Sequence, residues 1–107
     1  MPLAEQKCEP RHEGTPPLSP DRAEELLEEV PLWTLEDKSI EREFRFKDFR
    51  EAMGFVNKIA DIAEQQDHHP DLYISYNKVR VQLSTHKIGG LSENDFIVAA
   101  KIDRVVG

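Results

Sequence analysis

The sequence predicts an α+β fold, a four-stranded antiparallel sheet with about three helices packed on one face. Apolar residues recur at helical spacing in three segments, and they alternate with polar residues in others. The order along the chain is helix, strand, strand, helix, strand, strand, helix. Strands that come in pairs, with single helices between the pairs, are typical of an antiparallel sheet covered by helices.

The length of 107 residues allows one domain with one core. Residues 1–18 contain four of the seven prolines and few apolar residues, so this segment cannot bury enough surface to offset its ordering entropy. We therefore expect a flexible Pro-rich leader over residues 1–18 and a single domain over residues 19–107.

The first helix is predicted to start at Ser19, an N-cap residue, with Pro20 at the first helical position. Pro31 is expected to end this helix after about three turns. Two strands should follow over residues 33–35 and 39–46, joined by a turn at residues 36–38. Arg42 interrupts the apolar face of the second strand.

The central helix is the longest periodic segment of the chain. Asp48 and Glu51 form a plausible capping box at its start, and the helix should end close to His68 because Pro70 disfavours helical geometry at the residue before it. Its predicted apolar face consists of Phe49, Met53, Val56, Ile59 or Ala60, and Ala63.

Two further strands and a helix complete the pattern. The strands are predicted over residues 72–76 and 79–85, with a bend at Asn77 and Lys78, and the second alternates cleanly between apolar and polar residues. Ser92 and Asp95 should open a last helix that runs to about Val106. A small antiparallel sheet leaves edge strands that can pair with another copy, so we expect a homo-oligomer.

Composition argues against several classes of function. A net charge of −7 is unlike the basic surface of nucleic-acid-binding proteins. No apolar run approaches the ~20 residues that cross a bilayer, and the polar start is unlike a signal peptide. Cys8, the only cysteine, excludes an internal disulfide and suggests a reducing, cytoplasmic location.

Three of the four histidines, His68, His69 and His86, fall within 19 residues. Imidazole exchanges protons near neutral pH, so this cluster suggests either proton transfer or metal ligation. Glu64 is four residues before His68 and would share a helical face with it, which could fix the tautomer of the imidazole. Asp95 could complete the cluster, or it could simply cap the last helix.

Other interpretations of the histidines stay open at this point. A histidine at a strand end is usually an ordinary surface or core residue, and two histidines at a helix end can interact with the helix dipole. Three histidines with a carboxylate could also bind zinc or iron, although adjacent histidines on regular structure point in different directions. We therefore predict no metal site. The sequence contains no nucleophile elbow, dinucleotide fingerprint or P-loop.

The spacing of these residues resembles a family signature. It reads Glu64, three residues, His68-His69-Pro70, five residues, Tyr76, nine residues, His86, eight residues, Asp95. Together with the flanking residues 46–49, 76–79, 83–86 and 90–93, this pattern is similar to that of the pterin-4a-carbinolamine dehydratases, over about residues 19–107.

The resemblance implies a cofactor-free hydro-lyase that converts 4a-hydroxytetrahydropterin to quinonoid dihydropterin in tetrahydrobiopterin recycling. His68, His69 and His86 would be the acid/base set, and Glu64 would orient His68. The remaining implied site residues would bind the substrate: Asp95, Pro70 in the pocket wall, and Trp33. The family fold, a four-stranded antiparallel sheet with helices on one face, agrees with the prediction above. The resemblance also implies assembly through the sheet edges into a homodimer or homotetramer.

A second hypothesis is a protein-binding or assembly module on the same scaffold, similar to family members that act as dimerisation cofactors of transcription factors. Such a module has no chemical need for Glu64, the three histidines and Asp95 at these spacings. The complete acid/base set therefore favours the enzyme.

Overall fold

The computed structural model describes residues 2–106, and it confirms the predicted α+β fold with a four-stranded antiparallel sheet. Three α-helices and two short 3-10 helices accompany the sheet. The elements are, in chain order, a 3-10 helix (Leu3–Glu5), α1 (Pro20–Leu27), β1 (Thr34–Glu36), β2 (Ser39–Arg45), α2 (Phe49–Gln66), β3 (Asp71–Ser75), β4 (Lys78–Leu83), a 3-10 helix (His86–Ile88) and α3 (Glu93–Val106).

The strands are arranged in the order β1-β2-β4-β3, and every neighbouring pair is antiparallel. Each hairpin turns on two residues, because Glu36 pairs with Ser39 and Ser75 pairs with Lys78. Asp37 and Tyr76, the first residues of these turns, have φ angles of 43° and 52°. Both turns therefore lie within one residue of the predicted positions.

One face of the sheet forms the core with the helices. The buried side chains on this face are Ile40 and Phe44 of β2 and Val79, Val81 and Leu83 of β4. Arg42 occupies the same face, and it is accommodated because its Nη1 donates to Asp103 Oδ1 of α3 at 2.7 Å. The interruption of the apolar pattern at Arg42 is thus compensated by an ion pair.

The central helix begins as predicted, since Asp48 accepts a hydrogen bond from the Glu51 N–H at 2.9 Å. The predicted apolar face is wrong in part. The buried residues of α2 are Ala52, Phe55, Ile59, Ile62 and Ala63, whereas Phe49 is half exposed. Two overlapping sets of apolar residues in α2 have helical spacing. The set that contains Phe55 is the buried one, because the Phe55 ring packs against Phe44 and Phe46 with ring centroids 4.7 and 5.0 Å apart.

Helix α1 also begins as predicted, because Ser19 Oγ accepts from the Arg22 N–H. The helix is shorter than predicted and ends at Leu27, well before Pro31. Beyond Leu27 the chain continues through hydrogen bonds to the residue three positions back, as far as Val30. This tightening is common at helix ends.

The leader lies against the domain. Leu3 is buried, and Lys101 Nζ of α3 donates to the Ala4 carbonyl at 2.9 Å. Near the other end of the leader, the Leu18 N–H donates to the Leu91 carbonyl. The flexibility of residues 1–18 and the division from a domain at residue 19 stay predictions. Within residues 2–106, no helix combines the length and the apolar character that a membrane span requires.

Candidate active site

The end of α2 places the two adjacent histidines. Asp67 adopts a left-handed conformation with φ 52° and ψ 42°, and the His68 N–H donates to the Ala63 carbonyl at 3.2 Å. This is the geometry of a Schellman-type helix end, which reverses the chain direction. The helix therefore ends at Gln66, two residues earlier than its predicted end near His68, and His68 is no longer part of it.

His68 is paired with Asp95, which lies in the first turn of α3. The His68 Nε2 and Asp95 Oδ1 atoms are 2.6 Å apart, and the two side chains are 11% and 0% exposed. An ionised carboxylate can only accept, so this contact requires a proton on Nε2 of His68. In a neutral imidazole the second ring nitrogen, Nδ1, is then an acceptor.

Asp95 is fixed by two further donors at its other oxygen. Oδ2 accepts from Thr85 Oγ1 at 2.9 Å and from the Ser92 N–H at 3.0 Å. Because Thr85 Oγ1 donates to Asp95, it accepts from Ser92 Oγ, which is 2.7 Å away. Asp95 thus closes the predicted capping box of α3 and also holds His68. The two interpretations left open for Asp95 are both realised.

Glu64 is paired with His69 rather than His68. The Glu64 Oε2 and His69 Nε2 atoms are 2.6 Å apart, with side chains that are 77% and 56% exposed. The predicted contact between Glu64 and His68 is wrong, because spacing of four residues brings side chains together only while the helix continues. The turn at Asp67 redirects His68 toward α3.

The three histidines line one cavity of about 540 Å³. This volume lies within the range typical of small-molecule sites. His86 begins the 3-10 helix after β4, is exposed, and has no hydrogen-bond partner for its side chain within residues 2–106. The other lining residues are Cys8, Glu9, Pro10, Arg11, Gln65, Gln66, Asp67, Ser84, Thr85, Lys87 and Asn94.

Four predicted site residues are not among those that line the cavity: Trp33, Pro70, Glu64 and the fully buried Asp95. Trp33 is buried in the core, where its ring meets Phe44 edge-on and its Nε1 donates to Asp103 at 2.9 Å. Pro70 is half-buried between His69 and the start of β3. The structure therefore brings the three histidines to one cavity, pairs His68 with Asp95 and His69 with Glu64, and places Trp33 elsewhere.

No group of three or more His, Cys, Asp or Glu side chains within residues 2–106 is arranged to hold a metal ion. His68 contacts Asp95 and His69 contacts Glu64, so these contacts do not bring the ring nitrogens of the two histidines to a common point.

Burial raises the pKa of the Cys8 thiol from 9.0 to about 11, and the positive charge of Lys101 offsets this only in part. The thiol in the cavity wall is therefore protonated near neutral pH, which makes it a poor nucleophile.

Sequence reasoning missed two features of the site. The first is the support of Asp95 by Thr85, although Thr85 directly precedes His86 in the motif. The second is the contribution of the leader, which supplies residues 8–11 to the cavity wall. The four residues Cys8, Glu9, Pro10 and Arg11 carry no periodic signal, so only the folded contacts identify them.

Comparisons with known proteins agree with the geometry. The family described as pterin 4 alpha carbinolamine dehydratase matches residues 16–105. A provisionally named pterin-4-alpha-carbinolamine dehydratase of Nitrosomonas eutropha is 50% identical over 105 residues, covering 97% of this chain and 93% of the relative. A relative from Alkaliphilus metalliredigens with the same provisional name is 48% identical, over 95% of this chain and 94% of the relative.

Two solved structures are also similar. A transcriptional coactivator/pterin dehydratase from Brucella melitensis superposes with a TM-score of 0.81 at 36% identity, covering 85% of this chain and 99% of that one. A pterin dehydratase-like protein identified as a RuBisCO assembly factor in the alpha-carboxysome gives a TM-score of 0.59 at 20% identity, over 70% and 87% of the two chains. At this identity the second likeness concerns the fold alone.

Proposed function

Because this chain belongs to the pterin-4-alpha-carbinolamine dehydratase family, a family of hydro-lyases, we propose that it dehydrates 4a-hydroxytetrahydropterins. The product is the quinonoid dihydropterin. The observation that carries the proposal is the position of three histidines around one cavity, one of them held by a buried carboxylate. We further propose that the reaction serves tetrahydrobiopterin recycling in the cytoplasm and needs no cofactor.

The reaction requires two proton transfers. A protonated imidazole donates to the 4a-hydroxyl, the C4a–O bond breaks, and water leaves. A neutral imidazole takes the proton from N5, whose electron pair then forms the C4a=N5 double bond. Positioned proton transfer of this kind contributes ~10²- to 10⁴-fold to a rate.

His68 suits the acceptor role. The Asp95 carboxylate holds its Nε2–H, which leaves Nδ1 to accept, and it stabilises the imidazolium that forms. His69 and His86 then share the donor role, and Glu64 stabilises protonated His69 across an exposed contact. Exposed ion pairs contribute little, so Glu64 should matter less than Asp95.

The proposed quaternary structure is a homodimer or homotetramer formed through the edge of the sheet. β3 is an edge strand, and Tyr73 and Ile74 on it are 48% and 41% exposed. Such an edge can pair with a second copy. Light scattering coupled to gel filtration tests this proposal, since a monomer at micromolar concentration would contradict it.

A protein-binding role is the second candidate, supported by the likeness to the Brucella melitensis protein, which is described as a transcriptional coactivator as well as a pterin dehydratase. The two functions are compatible. Dehydratase activity is favoured because three histidines line one cavity, which a protein-binding module does not require.

The test of the proposed activity is conversion of freshly generated 4a-hydroxytetrahydropterin to quinonoid dihydropterin, followed by ultraviolet absorbance. Wild type is compared with His69→Ala, with and without a chelator. Acceleration that survives chelation and falls in the variant supports the proposal. Loss on chelation would indicate a metal-dependent reaction, and a folded wild type without acceleration would leave the protein-binding role.

A further inference from the structure

Residues 8–11, here called the leader wall, form part of the lining of the cavity. Two side chains hold this wall by its backbone. Asn94 Oδ1 accepts from the Glu9 N–H at 3.0 Å, and Asn94 Nδ2 donates to the Glu9 carbonyl at 2.7 Å. Gln66 Oε1 accepts from the Cys8 N–H at 2.9 Å.

Asn94 is only 4% exposed and is adjacent to Asp95 at the start of α3. The same helical turn therefore fixes both the carboxylate that holds His68 and the amide that holds the leader wall. A shift of this turn would move the wall and the histidine together. The wall is thus part of the lining of the cavity.

Arg11 is the cation of the leader wall, and it lacks a carboxylate partner within the part of the chain that is described. Its Nη2 donates to the neutral Asn94 Oδ1 at 3.2 Å, while its Nε is buried with no hydrogen-bond partner. Arg50 also has no ion pair within residues 2–106, but Arg50 is exposed, whereas the Nε of Arg11 is buried. Five other arginines form ion pairs: Arg22, Arg42, Arg45, Arg80 and Arg104.

We propose that Arg11 binds the substrate by donating a hydrogen bond to a pterin carbonyl oxygen, and that Asn94 is the residue that positions Arg11. This inference rests on the proposed function. A guanidinium is a rigid fork of donors that suits planar acceptors. A pterin places a carbonyl next to the reacting C4a carbon, so an arginine there would orient that carbon toward the histidines. Because Nε is covered, the wall shifts slightly as the acceptor enters.

The test compares Arg11→Gln with Arg50→Gln, which removes the same charge. Arg50 is exposed in the first turn of α2 and has no ion pair within residues 2–106, so it serves as the matched control. Arg11→Gln removes a hydrogen bond from a charged donor to the substrate, so we expect its KM to be about tenfold higher than that of wild type, with kcat little changed. Arg50→Gln should match wild type.

Asn94→Ala separates positioning from binding. If Asn94 acts through Arg11, the variant raises KM, and the double variant with Arg11→Gln is no worse than Arg11→Gln alone. Arg11→Lys should recover only part of the affinity, since it restores the charge without the fork. Additive effects of Asn94→Ala and Arg11→Gln would overturn the positioning role.

A second readout is equilibrium binding of oxidised pterin, a non-reacting ring system, followed by its fluorescence. The Kd should rise with the KM in Arg11→Gln. An active wild type whose KM and Kd are unchanged by Arg11→Gln would overturn the inference and leave the proposed function intact. A folded wild type that neither binds pterin nor accelerates dehydration would refute both.

Discussion

Replacing Asp95 with Asn tests the role of the buried carboxylate with almost no change in shape. The single oxygen of Asn can still accept from Thr85 and Ser92, which places the new NH₂ group toward His68. Nε2 of His68 must then accept, so the ring proton moves to Nδ1. His68 can no longer take a proton from the substrate through Nδ1.

The expected loss in kcat is ~10²-fold or more, the contribution of one positioned proton transfer. A charged hydrogen bond becomes a neutral one, which costs about 1 kcal/mol of the free energy of unfolding. For a domain of this size that lowers Tm by about 4–8 °C. Stopped-flow dehydration kinetics at saturating substrate give kcat, and calorimetry gives Tm.

Asp103→Asn is the matched control for Asp95→Asn. Asp103 lies on the same helix, accepts from Trp33 Nε1 and Arg42 Nη1, and does not line the cavity. This control should lose stability but keep kcat. The reasoning fails if Asp95→Asn keeps kcat within about twofold of wild type, or if Asp103→Asn loses as much activity as Asp95→Asn.

Three further predictions follow from the same contacts. His68→Ala leaves the buried Asp95 without the imidazole that it contacts, so thermal melts should show a loss of about 1–3 kcal/mol in the free energy of unfolding. His69 is exposed, so His69→Ala should melt like wild type, and equal Tm values in the two variants would contradict the difference in burial. Glu64→Gln should lower kcat only a few-fold in the dehydration assay, because the contact between Glu64 and His69 is exposed. A ~10²-fold loss would show that this carboxylate acts directly in proton transfer. The raised pKa of Cys8 means that the folded protein keeps the thiol proton at pH values where the unfolded chain loses it. The free energy of unfolding in urea should therefore fall as pH rises from 9.0 toward about 11, and Cys8→Ser should reduce that fall. The same dependence of stability on pH in wild type and Cys8→Ser would contradict this prediction.

Local signals predicted most of the fold. Caps at Ser19, Asp48 and Ser92 and the alternation along β4 depend on neighbouring residues, and all of them are present in the structure. The buried face of α2 was less predictable, because two stripes of apolar residues fit a helix and the choice between them depends on contacts with β2.

The candidate site was predictable in its residues but not in its pairings. The motif named both carboxylates, but their partners depend on the left-handed turn at Asp67, a position without the glycine that normally signals such a turn. The leader wall is held by Asn94, which is 85 residues away from Glu9 in the sequence. Contacts over that separation leave no periodic pattern.

The most direct test of acid/base catalysis by the three histidines is the dehydration rate of 4a-hydroxytetrahydropterin at saturating substrate. Wild type is measured beside His68→Ala, His69→Ala and His86→Ala. We predict clear acceleration by wild type and a loss of ~10²-fold or more in His68→Ala, with substantial losses in the other two. Wild-type rates in all three folded variants would contradict the account.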